Sequence, residues 1–332
     1  MRARKLIIQI PCYNEELTLP ATLRALPRTV PGVAAVEWLV VDDGSSDRTS
    51  AVARELGVDH VVRHTSNQGL ARAFATGLDA ALRLGADVIV NTDGDNQYDA
   101  RDIPSLIAPI LRGDAEMVVG DRRTDQIPHF SATKKRLQKL GSWVVRQASQ
   151  TTIPDTTSGF RAYSRDGALK LNVVSDFTYT LETIIQAGRK NIALAHVPVR
   201  TNEQLRESRL FRNLRSYIAR SIGTVVRIYA MYRPMRIFLT VGGTVFGAGF
   251  LIGCRFLYYF MTGTGAGHIQ SLLLAVLLMV VGFQTVLTGL LADLVANNRR
   301  LVEETLWRVR RLELELSERA PTSSPASPGV RS

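Results

Sequence analysis

Apolar and polar positions alternate along the first two hundred residues in two rhythms. LIIQI (6–10), VEWLVVDD (36–43), HVVRHT (60–65), ADVIVNTD (86–93) and AEMVVGDR (115–122) are short runs of strand-forming residues. Between them, EELTLPATLRAL, SDRTSAVARELG, ARAFATGLDAALRLG and IPSLIAPILRG carry apolar residues at helical spacing. Asp47 or a neighbouring serine is the expected cap of the second helix, Gly57 its stop, and Pro11 the break of the first strand. Strands alternating with helices of this length predict an α/β domain over residues 1–202, with a mostly parallel, Rossmann-like sheet covered on both faces. Ligands of such sheets bind beyond the carboxyl ends of the strands. Two acidic clusters, Asp42–Asp43 and Asp93–Asp95, stand at such ends.

The rhythm then changes. Over residues 203–236, Leu210, Leu214, Tyr217, Ile218, Ile222, Val225 and Tyr229 share one helical face, with Arg209, Arg212, Arg220 and Arg227 opposite. That pattern predicts an amphipathic helix lying on a membrane interface. Two apolar spans follow within residues 237–297. Ile237 to Met261 holds one charge, Arg255, and Ile269 to Val295 holds only Asp293. A spanning helix needs roughly 20 mostly apolar residues, which both runs supply. The loop TGTGAGH has no lysine or arginine, whereas Arg233, Arg236, Arg299 and Arg300 flank the pair. The positive-inside rule therefore puts both termini in the cytoplasm and the loop outside, with Arg255 able to snorkel. Gly242, Gly243, Gly247 and Gly249 allow close helix contact within the hairpin or between chains, so a homo-oligomer is allowed. A charged helix (298–318) and a Pro/Ser-rich tail expected to be disordered (319–332) end the chain.

Composition narrows the partners. The 332 residues carry a formal net charge of +11, dense beside the apolar runs. This favours acidic lipid surfaces and phosphorylated substrates over nucleic acid. The two cysteines, Cys12 and Cys254, imply no disulfide framework. The start, MRARKLIIQIPCYNEE, does not read as a signal peptide, so the bulk of the chain is expected in the cytoplasm.

The strand ends carry the candidate chemistry. Asp93 and Asp95 repel one another unless a cation or donor compensates. Carboxylate oxygens suit Mg²⁺ or Mn²⁺, and such an ion would neutralise a diphosphate leaving group. Taken alone, an Asp-Gly-Asp stretch is more often a polar turn. VVDDGSSD (40–47) reads as a capped turn or as an acid accepting hydrogen bonds from a base or ribose. In IPCYNEE (10–16), Asn14 and Glu15 face the same crevice, and Gly69 in SNQGLARAFATGL permits close backbone approach.

In this order and at these intervals, the four stretches resemble family 2 glycosyltransferases of the GT-A fold, over about residues 5–200. The resemblance implies nucleotide-sugar binding, of a UDP- or GDP-hexose, by Pro11, Tyr13, Asn14, Glu15, Asp42, Asp43, Gly69 and Asp93. It sets Asp93 and Asp95 in the place of the metal-binding DXD motif, and Asp43, or else Asp42, on the nucleobase. Gln97 matches a residue that can join the metal shell in the polyprenyl-phosphate branch.

GDRR (120–123), KKRLQKLGSW (134–143), DTTSGFRAYSR (155–165) and the membrane ending resemble dolichol- and polyprenyl-phosphate glycosyltransferases. That implies a lipid-phosphate acceptor, with Arg122, Arg136, Arg161 and Arg209 as candidate phosphate ligands. One stretch departs: in RESRL (206–210), Arg206 stands for the family's glycine and Arg209 for its lysine, which keeps the charge and leaves the turn open. Glu182 stands about where relatives with hydroxyl acceptors keep a catalytic acid, and a supporting role is expected beside Asp95 and Arg122. A processive polysaccharide synthase would carry Gln-x-x-Arg-Trp, and none of Trp38, Trp143 and Trp307 follows such a stretch. An inactive nucleotide-sugar-binding scaffold would show degraded acidic motifs, and these are intact.

Overall fold

The structure is a computed structural model and describes residues 4–123, 151–173, 179–202, 234–263 and 265–319. The chain divides into two compact units, Met1–Arg220 with Thr305–Ser332, and Ser221–Glu304.

In the first unit, seven strands build one sheet: β1 (Lys5–Cys12), β2 (Ala35–Asp42), β3 (His60–Arg63), β4 (Val88–Asn91), β5 (Met117–Asp121), β6 (Arg161–Ser164) and β7 (Leu194–Pro198). Their order is β3-β2-β1-β4-β6-β5-β7. β1 pairs in parallel with β2 and β4, and β5 with β7, while β6 runs antiparallel between β4 and β5. The expected mostly parallel α/β class holds. The strand order reverses between β1 and β4, which makes the crevice beyond their carboxyl ends the ligand position of such a sheet.

β1, β2, β4 and β5 are buried on both faces over most of their length, so their sequences run largely apolar instead of alternating. Leu6, Ile8 and Ile10 of β1 pack with Leu19 and Leu23 of α1 (Leu19–Ala25) and with Ile103, Leu106 and Ile107 of α4 (Ile103–Arg112). On the opposite face β1 meets α3 (Leu70–Arg83), where a Cβ on Gly77 would lie 2.6 Å from Gln9 Oε1. α2 (Thr49–Glu55), α5 (Arg165–Lys170) and α6 (Tyr179–Arg189) complete the layers. Asp47 accepts a hydrogen bond from Thr49 N (3.0 Å) at the start of α2, and Gly57 follows the helix at φ 74°.

Pro11 does not break β1. The strand continues to Cys12, paired with Asp42 of β2. Cys12 O faces β2, accepting from Asp43 N, whereas Gln9 O faces the β4 side, accepting from Thr92 N. Pro11 therefore turns its missing N–H toward β4, where pairing has already ended at Gln9–Asn91.

α7 (Pro234–Met261) falls in the second unit and α8 (Ile269–Arg319) begins in it and runs on past Glu304; both are long and apolar enough to cross a membrane. The expected charged helix is the continuation of α8, without a break. A Cβ on Gly242 would lie 2.8 Å from Gly282 O, and one on Gly249 2.9 Å from Ala275 O. These two glycines are spent inside the hairpin, whereas Gly243 and Gly247 have nothing within 4 Å. Most of the segment 203–236 lies outside the described residues.

Candidate active site

The loops after β1 and β2 are laced together. Asn14, at φ 54°, donates from its backbone to Ser45 Oγ and accepts Ser46 N on Oδ1, both at 2.9 Å. Glu15 N donates to Thr49 Oγ1 (2.9 Å), and Glu15 O accepts from Leu19 N as α1 begins. Tyr13 is exposed and Pro11 buried.

Both aspartates of the second motif are engaged inside the protein. Asp42, fully buried, accepts from Ser45 N (2.9 Å) and from Ser50 Oγ, which ties β2 to α2. Asp43 accepts from Gln68 N (2.9 Å) and Gly69 N (2.8 Å) and pairs with His64 Nδ1 at 2.7 Å. Asp43 thus shapes the loop that leads into α3, where Gly69 sits at φ 92°.

The turn after β4 is different. Asp93 accepts no hydrogen bond among the described residues, and Asp95 accepts one, from Gln97 N at 3.2 Å. Burial, then Asp95, lifts the Asp93 carboxyl to about 7, against the opposing pull of Arg122. The Cys12 thiol nearby is pushed up by burial and then by Glu15, Asp42, Asp93 and Asp47, which marks the crevice as electronegative. A Cβ on Gly159 would come within 2.9 Å of Asp93 Oδ2, so only glycine lets this carboxylate rest there.

These observations fit a hard divalent cation: two half-buried carboxylates that raise one another's cost and meet a single hydrogen-bond donor among the described residues. No three His, Cys, Asp or Glu side chains gather around a common point among the described residues. One or two carboxylates are the usual protein share for Mg²⁺, with water and phosphate oxygens completing the shell.

Arg122 follows β5 and is clamped by Asp155, Nε to Oδ2 at 2.7 Å and Nη2 to Oδ1 at 3.0 Å, with Nη2 also donating to Thr157 Oγ1 at 2.8 Å. Burial alone would raise the Asp155 carboxyl, but the Arg122 guanidinium outweighs it and holds it below the usual range.

Arg161 is a correction. It is fully buried, and its donors go to Ser158 O (2.7 Å), Thr180 O (2.9 Å), Thr183 Oγ1 (2.6 Å) and Thr156 O (2.9 Å). With four of its five N–H donors engaged in the interior, this guanidinium is not exposed to a lipid phosphate; it braces the 156–158 loop against α6. Glu182, in the first turn of α6, is buried and accepts from Gln186 Nε2 at 3.1 Å, so it is no solvated acid. Arg136 and Arg209 lie outside the described residues.

Sequence reading missed the polar floor under this turn. Asn91 Nδ2 donates to Gly159 O (2.8 Å) and to Tyr179 OH (2.9 Å), and Asn91 Oδ1 accepts from Gln9 Nε2 (2.8 Å). Tyr98 OH accepts from Gly159 N (2.9 Å), and burial pushes its phenol up to about 12. The available signal was a lone amide inside each of two apolar runs, Gln9 in LIIQI and Asn91 in VIVN. Asp155 gave no such signal.

Residues 7–171 match the glycosyl transferase family 2 model. The chain is 30% identical over 225 residues to a UDP-N-acetylglucosamine–dolichyl-phosphate N-acetylglucosaminyltransferase of Methanococcus voltae, covering 60% of this chain and 86% of that one. It is 28% identical over 212 residues to a polyprenol monophosphomannose synthase of Mycolicibacterium smegmatis, covering 60% and 78%. The fold matches glucosyl-3-phosphoglycerate synthase from Mycobacterium tuberculosis, solved with Mn²⁺, UDP and phosphoglyceric acid, at a TM-score of 0.55 and 19% identity, covering 68% of this chain and 78% of that one.

Proposed function

The chain belongs to glycosyl transferase family 2, and from that premise we propose that it transfers a hexose from a UDP- or GDP-sugar to polyprenyl phosphate at the cytoplasmic membrane face. One observation carries this reading. A single chain joins an acid pair short of hydrogen-bond donors, at the sheet's reversal point, to two helices long and apolar enough to cross a membrane. Relatives named for polyprenol and dolichyl phosphates support the lipid acceptor, and the Mn²⁺ and UDP of the structural neighbour support the metal and the diphosphate.

In this reading Asp93 and Asp95, with Gln97, hold Mg²⁺ or Mn²⁺, which when bound neutralises charge on the departing diphosphate. Pro11, Tyr13, Asn14 and Glu15 line the donor side, and Asp43, with the 67–69 loop it organises, faces the nucleobase. Arg122 Nη1 donates no hydrogen bond among the described residues, which leaves its two N–H donors for the acceptor phosphate while Asp155 and Thr157 fix the rest of the group. Arg136 and Arg209 are proposed to join it.

A phosphate monoester, with a second pKa of about 6, is already anionic at neutral pH and needs no general base. The chain's task is to aim that oxygen at the anomeric carbon from the side opposite the diphosphate. One in-line displacement inverts the anomeric centre. Glu182 acts indirectly, by bracing α6 through Gln186. The proposed layout is a catalytic domain over 1–202, an interfacial segment over 203–236, a membrane hairpin over 237–297 with both termini cytoplasmic, a charged helix over 298–318 and a tail over 319–332.

The test supplies membranes containing the protein with polyprenyl phosphate and labelled UDP-glucose, UDP-N-acetylglucosamine or GDP-mannose. The expected product is a labelled lipid that disappears with a chelator and returns with Mg²⁺ or Mn²⁺. No lipid product from any of these donors would sink the reading.

A further inference from the structure

The turn carrying Asp93 and Asp95 is held from two sides, and only one of them belongs to the motifs read from the sequence. Thr22 Oγ1, on α1, donates to Gly94 O at 3.0 Å. The carbonyls of Asn96, Gln97 and Tyr98 are all taken by one residue, Asn202. Its Nδ2 donates to Asn96 O at 3.0 Å and to Tyr98 O at 3.2 Å, and its backbone N donates to Gln97 O at 2.9 Å. Beside it, Thr201 bridges to Tyr98, and Arg200 O accepts from Asp99 N at 3.2 Å.

This grip matters because of the backbone it secures. Asn96 sits at φ 56°, a left-handed conformation that a non-glycine residue keeps only when its surroundings hold it there. That kink sets Gln97 N where it donates to Asp95 Oδ1 at 3.2 Å, the one hydrogen bond that orients this carboxylate among the described residues. Asn202 thus acts on Asp95 through the turn, without touching it.

We propose that Asn202 is a positioning residue for divalent-cation binding: it holds the 96–98 backbone in the pose that keeps Asp95 and Gln97 turned to the cation. This rests on the metal site set out under the proposed function. Partners of this kind behind metal ligands typically contribute about 10- to 100-fold in affinity. Asn202 is also followed directly by the segment expected to lie on the membrane, so the site's geometry is linked along the chain to that segment.

The experiment uses the full chain in detergent and titrates Mn²⁺ alone, without nucleotide, by the loss of its free-ion paramagnetic resonance signal. N202A removes both side-chain donors, N202D keeps the shape but replaces them by acceptors, and N202S keeps one short donor. The expected result is Mn²⁺ affinity weaker by about tenfold or more in N202A and N202D and by less in N202S. In the transfer assay the Mn²⁺ concentration for half-maximal rate rises by the same factor, while kcat at saturating Mn²⁺ recovers. Unchanged Mn²⁺ affinity in N202D and N202S, whatever happens to the melting temperature, overturns the inference. If D95A abolishes Mn²⁺ binding while the Asn202 variants bind normally, the inference alone fails. If wild type binds no Mn²⁺ with or without UDP or GDP, the metal site fails and takes the inference with it.

Discussion

Two aspartate pairs stand at the carboxyl ends of β2 and β4, the strands that flank β1, and they have opposite surroundings. Asp42 and Asp43 are met by backbone N–H groups, a serine hydroxyl and the His64 ring. Asp93 meets no donor among the described residues, and Asp95 meets one amide. A buried carboxylate surrounded by donors braces the chain. A half-buried carboxylate beside another carboxylate, and short of donors, is stable when charged only if a cation joins it. The difference lies in the donors around each pair and not in the acids themselves.

The largest way to break this comparison is Asp95→Ala. It should lower transfer by about a thousandfold or more, roughly 4 kcal/mol of transition-state stabilisation, while melting temperature and membrane insertion stay close to wild type. The check is labelled-lipid formation in parallel with thermal melting. Retained transfer would remove the distinction between the pairs.

Much of this arrangement can be read without coordinates. The parallel core is visible because two-sided burial writes itself as LIIQI, WLVV and VIV, and the acid pairs stand where those runs stop. What is not visible depends on long-range partners. β6 is four residues, RAYS, too short and too polar to announce a strand, and its antiparallel direction follows from where the chain returns. Arg161 reads as a free cation in FRAYS, yet folding surrounds it with carbonyls from 156, 158 and 180. Asn202 sits 106 residues from Asn96, and no local pattern connects them.

A third carboxylate sharpens the contrast. Asp155, unlike Asp93, is satisfied by a guanidinium, that of Arg122. Asp155→Asn leaves the buried guanidinium without its partner and should cost about 3 kcal/mol at neutral pH. The pH profile has a definite sign. The folded carboxyl lies below its usual value because Arg122 outweighs burial. Its stabilisation is therefore complete above the unfolded pKa of about 4 and is lost as pH falls through the lower folded value. Melting curves from pH 6 down to pH 2 should show a shallower acid limb in Asp155→Asn than in wild type. An identical limb would mean that the pair contributes nothing.

Asp42→Ala tests the other side of the comparison. It removes the acceptor of Ser45 N and Ser50 Oγ in a fully buried place, for a loss of about 2 kcal/mol. Added Mn²⁺ should stabilise this variant by as many degrees as it stabilises wild type, because the brace and the cation site are separate. A variant with intact stability but no Mn²⁺ response would assign Asp42 to the cation site instead.

The smallest effect is the one that separates the pairs most cleanly. Asp93→Asn removes a charge that the metal-free protein holds at a cost, since burial and Asp95 lift that carboxyl to about 7. Without metal, at a pH above 7, the variant should be more stable than wild type by about 1 kcal/mol, a rise of roughly 2–4 °C in melting temperature. With Mn²⁺ the order should invert, because wild type gains the binding free energy of the ion and the variant gains little. Asp42→Asn should behave in the opposite way, losing stability with or without metal, because its negative charge is already matched by donors. A stabilising substitution at one strand end and a destabilising one at the other, from the same exchange of oxygen for nitrogen, is what opposite donor surroundings require.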